Sequence, residues 1–332
     1  MQIKSGQLAV ITGGGSGIGR ALALELAREG VHLALCDLSE SALSQSRAQC
    51  LAAAPAGARV SIFKADVSDE QQLLAFRDAV MREHDTDHIE LLFNNAGIGG
   101  GGSFVQGERA EWERTFSVCW QGVYLGARVF MPMLIASQQG CIINVSSANG
   151  FWASLGPGIA HTAYCAAKFA VRGFTEALIT DLKMHAPHVS CAVVMPGYIG
   201  TSIALNSSHV HGHGDLRELP AERVAAVRKR LQLAGGRGEG LSDDQIRKML
   251  HQRGIDFRDG APTSAQQAAQ IILDGVRAGR WRILVGEDAV ALDAKVRANP
   301  ERAYDDDFNG LLIQPLRRSV APGNPGDKES SR

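Results

Sequence analysis

The stretch that decides the fold is Thr12-Gly13-Gly14-Gly15-Ser16-Gly17-Ile18-Gly19. It follows a short apolar run, Leu8–Thr12, and opens a segment with helical spacing of apolar residues, Gly17–Glu29. Clustered glycines let the backbone turn sharply and approach a pyrophosphate, which then lies at the positive amino end of the helix. Gly19 permits close packing of helix on strand. In this context the stretch predicts a dinucleotide-binding loop, whereas alone it would be an ordinary glycine turn.

Short apolar runs alternate with helical segments from residue 8 to about residue 197. The runs have little polar alternation, as expected for parallel strands covered on both faces. The predicted strands are Leu8–Thr12, His32–Asp37, Arg59–Asp66, Glu90–Asn94, Gly140–Ser146 and Val189–Met195. A helix over Thr263–Ala278 and a seventh strand over Trp281–Gly286 follow later. The alternation predicts an α/β fold with a doubly wound, Rossmann-like parallel sheet.

Between the sixth and seventh predicted strands the alternation breaks. Residues 201–260 carry Gly, His and charged residues, with helical patterns near Ala221–Leu233 and Ser242–Gln252. We interpret residues 201–260 as a substrate lid inserted into a single domain that spans residues 1–314. The polar segment 315–332 contains Pro and Gly and is predicted to be a disordered tail.

The composition narrows the class of protein. Of 332 residues, 45% are hydrophobic, and 34 Lys and Arg against 35 Asp and Glu give a net charge of −1, which leaves no basic field for nucleic acid. No uninterrupted apolar stretch reaches the ~18–20 residues of a membrane span, and no signal-peptide core is evident. The six cysteines form no C-x-x-C pair, which argues against zinc and against a disulfide framework. We expect a cytoplasmic protein with no metal, nucleic-acid or membrane partner.

Asp37 ends the second predicted strand, 18 residues beyond Gly19. A carboxylate at this place accepts both ribose hydroxyls of an adenosine and repels a 2′-phosphate of charge about −1.5 to −2. No Arg or Lys follows in residues 38–40. The residue therefore favours NAD over NADP, the alternative being an aspartate in a surface turn.

Tyr164 and Lys168 lie four residues apart in a segment of helical periodicity, and so on one helix face. A nearby ammonium favours the phenolate and lowers a tyrosine pKa from its usual ~10. Such a tyrosine can pass a proton to or from a carbonyl oxygen. Alone, the Y-x-x-x-K spacing is uninformative and is usually found on a solvated helix face, so it indicates a site only in combination with other motifs.

In combination these segments resemble the short-chain dehydrogenase/reductase family in its single-domain form. The resemblance covers about residues 7–201 and resumes at 263–286. Its pieces occur in the family's order and are Thr12–Gly19, Asp66-Val67, Asn94–Gly97, Asn144–Ser147, Tyr164–Lys168 and Pro196–Thr201. It implies an NAD-dependent enzyme that interconverts an alcohol and a ketone or aldehyde, assembled as a homodimer or homotetramer through the long helices before strands five and six.

The resemblance also implies roles. Tyr164 would be the general acid/base, Lys168 would hold the nicotinamide ribose, and Ser147 would hydrogen-bond the substrate oxygen. Ser146 is the competing choice for the serine. The residues implied to hold NAD are Gly13, Gly15, Ser16, Gly17, Ile18, Gly19, Asp37, Asp66, Val67, Asn95, Ala96, Gly97, Tyr164, Lys168, Pro196, Gly197, Ile199 and Thr201.

Two departures from the family pattern bear on activity. Cys119 occupies the position of the family's catalytic asparagine; it keeps the backbone carbonyl but lacks the side-chain amide. A catalytically impaired NAD-binding regulator or scaffold is therefore a second hypothesis, and a lyase or epimerase that oxidises transiently is a third.

The second departure is a long, aromatic segment between Ser147 and Tyr164. We interpret it as a wall of an apolar pocket and predict substrate contacts for Phe151, Trp152, His161 and Tyr198. Packing in the core or at a subunit interface is the alternative for the three aromatic residues. A structural histidine is the alternative for His161.

Overall fold

Seven parallel strands form the central sheet of the computed structural model, which describes residues 1–156, 159–233, 240–305 and 307–308. The strands are Leu8–Thr12 (β1), His32–Asp37 (β2), Val60–Lys64 (β3), Leu91–Asn94 (β4), Gly140–Val145 (β5), Val189–Pro196 (β6) and Arg282–Val285 (β9). Their spatial order is β3-β2-β1-β4-β5-β6-β9. The first three strands are added toward one edge of the sheet and the later strands toward the other, so the strand order switches between β1 and β4. Open α/β sheets bind ligands at such a switch point. The predicted doubly wound α/β fold is confirmed.

Helices cover both faces of this sheet. They are Gly17–Arg28 (α1), Glu40–Ala53 (α2), Glu70–His84 (α3), Arg109–Phe116 (α4), Gly122–Ala136 (α5), Thr162–His185 (α6), Ile203–Val210 (α7), Ala221–Leu233 (α8), Asp243–Asp259 (α9), Ala265–Arg277 (α10) and Glu287–Ala298 (α11). Successive side chains of β1 point to opposite faces. Ile11 packs in the layer with α1 and α10, and Val10 in the layer with α3, α5 and α6. Both are fully buried, which explains why the strands lack polar alternation.

A second, two-stranded parallel sheet was not predicted. It pairs Ile199–Gly200 (β7) with Thr263–Ser264 (β8). The predicted helix over Thr263–Ala278 therefore begins two residues later, because Ser264 caps it by accepting from the Gln267 N–H. The small sheet fixes the chain just after β6 to the chain just before α10.

Helices α4 and α5 are joined through a π-helical turn, Ser117–Gln121, into one helix, Arg109–Ala136. By length and composition alone it could cross a membrane, but 61% of its most apolar window is buried inside the protein. A buried core helix passes the same test, so the finding is weak evidence for a membrane span.

The 201–260 segment contains α7, α8 and α9, and α9 packs on α7, α8 and β7. Helix α9 extends seven residues beyond the predicted end at Gln252. The predicted tail, residues 315–332, lies outside the described residues, as do residues 157–158. The boundaries of the single domain stay a prediction.

Candidate active site

A single elongated cavity opens at the carboxyl ends of the parallel strands. It extends from the end of β2 to the end of β6, four strand spacings or about 19 Å. Its walls are Gly13, Ser16, Gly17, Ile18, Asp37, Leu38, Ala65, Asp66, Val67, Asn95, Ala96, Gly97, Ile98, Val118, Val145, Ser146, Ser147, Tyr164, Lys168, Pro196, Gly197, Ile199, Thr201, Ile203, Asn206, Val210 and Phe257. Most of the predicted cofactor residues are thus brought together.

The glycine loop forms the floor of the cavity under the first turn of α1. Gly13 has φ +67°, and a Cβ there would lie 2.9 Å from the Ala96 Cα atom. Ser16 is the N-cap of α1 and makes no side-chain capping bond, so the N–H groups of the first turn remain available for an anion. Two predicted residues do not line the cavity. The Gly15 N–H is bound to Asp37, and Gly19 packs against the Gly13 carbonyl, where a Cβ would overlap.

Asp37 lies at the β2 end of the cavity, and its carboxylate is held by the backbone. Oδ2 accepts from the Gly15 N–H at 3.0 Å, and Oδ1 from the Ser39 N–H at 3.1 Å. A Cβ on Gly15 would lie 2.8 Å from Oδ2, so only glycine allows this approach. The carboxylate is thereby fixed in direction and leaves lone pairs facing the cavity.

Asp66 borders the cavity next to Asp37. Burial raises the pKa of its carboxyl, but hydrogen bonds from Arg114 and Ser68 more than compensate, and the pKa lies below its usual value. Arg114 approaches to 2.6 Å. Asp66 is thus an ionised wall residue anchored to α4, and its backbone N–H is occupied by Gln72.

The opposite end of the cavity contains Ser147, Tyr164 and Lys168. Lys168 is 2% exposed, donates to the Val145 carbonyl at 2.9 Å, and has its Nζ atom 5.4 Å from the centre of the Tyr164 ring. Ser147 Oγ accepts from the Asn149 N–H at 3.1 Å. That bond uses only a lone pair of the hydroxyl, so the Ser147 proton remains available for a partner in the cavity.

The geometry also separates the two candidate serines. Ser146 Oγ donates to the Lys168 carbonyl at 2.7 Å, which ties β5 to α6 and consumes its proton. Ser147 lies beside the Tyr164 phenol and forms a hydrogen bond with it. Ser147 is therefore the better-placed donor to a substrate oxygen.

The predicted lowering of the Tyr164 pKa is wrong for this structure. Burial raises the pKa of the phenol, and the hydrogen bond with Ser147 lowers it only in part. Burial likewise lowers the pKa of the Lys168 ammonium. Desolvation outweighs the attraction on which the sequence argument depended.

Cys119 lies in the π-helical turn and is fully buried. Its Sγ atom donates to the Ile98 carbonyl at 3.2 Å and accepts from the Ile98 N–H at 3.4 Å. Burial raises the pKa of the thiol, although Lys168 lowers it in part. The side chain therefore stays neutral and fastens the turn to the loop after β4. The turn itself was not predicted; such π-bulges occur often at functional sites.

The three aromatic residues predicted to contact substrate do not face the cavity. Phe151, Trp152 and Tyr198 pack in one buried cluster against β6 and α11. Trp152 Nε1 donates to the Ala303 carbonyl at 2.8 Å, and the Tyr198 hydroxyl donates to the Asp256 carbonyl at 3.2 Å. That prediction is wrong because the partners of these rings come from the distant end of the chain.

His161, the fourth predicted substrate residue, stacks on the Tyr164 ring with centroids 4.7 Å apart. Burial lowers the pKa of its imidazole to about 4, so it is neutral at pH 7. It lies beside the candidate acid/base without being among the residues that line the cavity.

Four lining residues come from the 201–260 segment and were not predicted. Ile203, Asn206 and Val210 lie on one face of α7, and Phe257 comes from α9. The 203-206-210 spacing is a helical signal that was available in the sequence. Phe257 lies beyond the predicted end of its helix.

Helix α7 is fixed across the cavity. The Gly99 N–H donates to Ser207 Oγ at 2.8 Å, and His211 Nε2 contacts the Gly99 carbonyl at the same distance. Asn206 Nδ2 lies 3.4 Å from Ser16 Oγ on the glycine loop. The α7 segment thus touches the loop after β1 and the loop after β4.

A sequence profile described as short chain dehydrogenase matches residues 7–210. The chain belongs to the short-chain dehydrogenase/reductase family. It is 35% identical over 299 residues to the putative oxidoreductase SadH of Mycobacterium tuberculosis, covering 90% of this chain and 92% of that one. The protein is accordingly an oxidoreductase of this family.

Two solved family structures illustrate the cofactor class. A Burkholderia phymatum short-chain dehydrogenase/reductase in complex with NAD has a TM-score of 0.69 and 30% identity, over 91% of this chain and 95% of that chain. A metagenomic short-chain oxidoreductase in complex with NADP has a TM-score of 0.51 and 31% identity, over 59% and 84%. Family relatives therefore bind NAD or NADP.

The cavity of this family member fits such a dinucleotide. The uncapped first turn of α1 offers N–H donors, Gly13 and Gly17 leave room where a Cβ would intrude, and Asp37 offers a fixed carboxylate at one end. Tyr164 and Lys168 lie at the other end. In the part of the chain that the structure describes, no group of three or more His, Cys, Asp or Glu could hold a metal ion.

Proposed function

We propose that the protein is an NAD-dependent oxidoreductase that interconverts a secondary alcohol and a ketone, or an alcohol and an aldehyde, on a moderately apolar small molecule. The observation that carries the proposal is one cavity with Asp37 at one end and Ser147, Tyr164 and Lys168 at the other. When bound, the nicotinamide accepts or supplies the hydride.

Asp37 supports NAD over NADP. Its two oxygens already accept from Gly15 and Ser39, so the charge cannot turn away from the ribose. A 2′-phosphate would bring about −1.5 to −2 charge next to this carboxylate. The NAD complex of the Burkholderia phymatum relative agrees with this choice.

Tyr164 would move the proton. Because burial raises its pKa, the phenol holds its proton at neutral pH and can donate it to a carbonyl oxygen during reduction. Ser147 would donate a hydrogen bond to the same oxygen, because the Asn149 N–H occupies only a lone pair of its hydroxyl and its proton faces the Tyr164 phenol. In alcohol oxidation Tyr164 must first lose its proton, which makes that direction the more pH-dependent one.

Lid residues would exclude water and select the substrate. Ile203, Val210 and Phe257 are apolar, and Asn206 is neutral, so these described lid residues bring no charge to the cavity. The bonds from Ser207 and His211 to Gly99 hold α7 over the cavity. This wall suits a neutral, largely apolar alcohol or carbonyl compound.

We also propose that a second copy of the chain covers the aromatic surface along the π-helical turn, α5 and α6. Trp120 and Tyr124 pack with Phe174, and Tyr124 is 42% exposed. Exposed aromatic side chains on adjacent helices are typical of an interface core. A homodimer or homotetramer would bury them. A cytoplasmic location without nucleic-acid or membrane partners remains part of the proposal.

One observation favours a second candidate function. The thiol of Cys119 is engaged with Ile98, and the family's asparagine amide is missing from the site. A protein that binds NAD without turning over substrate would then act as a regulator or scaffold.

Stoichiometry separates these functions. Purified protein is incubated with NAD⁺ and a panel of apolar secondary alcohols, and NADH and the carbonyl product are both quantified. We expect one NADH for each carbonyl formed. Tight NADH binding without product from any alcohol would support the regulator, and product without net NADH would support the lyase or epimerase.

A further inference from the structure

Asp288 is the second residue of α11 and lies behind the 196–201 turn that follows β6. Its Oδ2 atom accepts from the Tyr198 N–H at 2.6 Å. On either side of Tyr198, Gly197 and Ile199 line the cavity. Asp288 itself is not among the lining residues. A short, charge-assisted hydrogen bond therefore holds this cavity wall from behind.

The space for the carboxylate is made by two glycines. A Cβ on Gly197 would overlap both carboxylate oxygens, and a Cβ on Gly286 would overlap Oδ1. Gly286 also has φ +98°, a conformation that favours glycine. The carboxylate therefore fits directly against the main chain of the turn and that of the segment after β9.

This arrangement is costly for the fold alone. Oδ1 is buried and has no hydrogen-bond partner within the part of the chain that the structure describes. Burial raises the pKa of the Asp288 carboxyl, and the backbone N–H groups of Tyr198, Ala289 and Asp288 itself lower it only in part. A buried acceptor with one oxygen unpaired costs free energy that a smaller residue would avoid, so its presence calls for an explanation beyond packing.

The same bond extends to the lid. The ring of Tyr198 packs against the ring of Phe257 with centroids 4.7 Å apart and planes tilted by 44°, and its hydroxyl donates to the Asp256 carbonyl. Phe257 lines the cavity. Fixing the backbone of Tyr198 therefore fixes the turn on one side and a lid residue on the other.

We infer that Asp288 is a positioning residue for the nicotinamide end of the cofactor site, acting through the Tyr198 N–H. It would touch neither cofactor nor substrate, because it does not line the cavity. The inference rests on the proposed function: the nicotinamide would lie at the Tyr164 and Lys168 end of the cavity, where Gly197 and Ile199 of the 196–201 turn also line the wall. The adenosine end, at Asp37, lies on the other side of the sheet's centre and does not depend on Asp288.

Two ligands separate the ends of the site. NADH reaches the 196–201 turn, whereas ADP-ribose lacks the nicotinamide. Binding of both is measured by calorimetry for the wild type, Asp288→Ala and Asp288→Asn. We expect Asp288→Ala to weaken NADH binding about tenfold, the loss of one good hydrogen bond, and to leave ADP-ribose binding unchanged. Asp288→Asn retains an acceptor oxygen and should restore most of the NADH affinity.

Asp293→Ala is the matched control on the same helix. Asp293 pairs with Arg282 and Arg297 and does not touch the turn. This variant should lower the thermal midpoint and keep the ratio of NADH to ADP-ribose affinity. If Asp288→Ala does not fold, Gly286→Ala displaces the carboxylate instead and should reproduce the selective loss.

The outcomes are distinct. Equal weakening of both ligands in Asp288→Ala, or no weakening of either, overturns the inference. An Asp288→Asn variant as impaired as Asp288→Ala contradicts the assigned hydrogen bond. A wild-type protein that binds neither ligand refutes the proposed function itself.

Discussion

Replacing Asp37 by asparagine should shift cofactor preference toward NADP. The substitution keeps the shape of the side chain and removes its charge. Two unit charges about 4 Å apart interact by about 1 kcal/mol in water and about 4 kcal/mol at an effective dielectric constant of 20. Because Asp37 is half-buried, the repulsion of a 2′-phosphate lies between these limits. We therefore expect the NADP-to-NAD ratio of kcat/KM to rise by roughly 5- to 1,000-fold.

The same variant should lose affinity for NAD. Asparagine offers one acceptor oxygen, so it cannot serve both the Gly15 and Ser39 N–H groups as the carboxylate does. An unpaired N–H costs about 1–3 kcal/mol where it is buried, and less at this half-buried place. The KM for NAD should accordingly rise up to about tenfold.

Glu40→Gln is the matched control for the charge. Glu40 lies three residues further on, is exposed, and is absent from the cavity wall. Initial rates with NAD and NADP at constant ionic strength give both ratios. If Asp37→Asn leaves the ratio unchanged, or if Glu40→Gln changes it equally, the argument that the fixed carboxylate excludes NADP is refuted.

Three further outcomes are expected. Because the pKa of Tyr164 is raised, kcat/KM for alcohol oxidation should increase with pH from neutral into the alkaline range. The kcat/KM for ketone reduction should stay level until the phenol ionises. A kcat/KM for oxidation that falls as the pH rises would contradict this expectation. Trp152→Ala should lower the free energy of unfolding by about 3–5 kcal/mol and leave the substrate KM unchanged, because Trp152 donates a hydrogen bond to Ala303 and does not line the cavity. A raised KM with an unchanged free energy of unfolding would instead show that Trp152 contacts the substrate. Tyr124→Arg should dissociate the oligomer in sedimentation experiments at unchanged NADH affinity, and an oligomer of wild-type strength would place the interface elsewhere.

The strands and most helices could be predicted because their signals are local. Continuous apolar runs indicated that both faces of the sheet are buried, and the spacing of the glycines indicated the loop before α1. The β7–β8 pair escaped prediction because two-residue strands carry no periodicity, and their pairing joins residues more than sixty positions apart. The π-helical turn around Cys119 escaped for a similar reason, since an added residue in a helix leaves little trace in spacing.

The site was predictable where residue type and order sufficed, as for Asp37 and Lys168. It was not predictable where packing decides. The sequence around Trp152 suggests a pocket residue, because its hydrogen-bond partner Ala303 lies 151 positions later in the chain. The pKa of Tyr164 depends on how many atoms surround the phenol, which the spacing to Lys168 does not reveal. The sequence did not indicate a role for Asp288, because its hydrogen-bond donor, the Tyr198 N–H, lies 90 residues earlier.

The most direct measurement is single-turnover alcohol oxidation by Tyr164→Phe, with NADH affinity determined on the same preparation. The substitution removes one hydroxyl and keeps the ring that stacks on His161. If Tyr164 carries the proton, the rate falls by about 100- to 10,000-fold while NADH affinity stays at the wild-type value. A rate near that of the wild type would mean that another group carries the proton, and the assignment would fail.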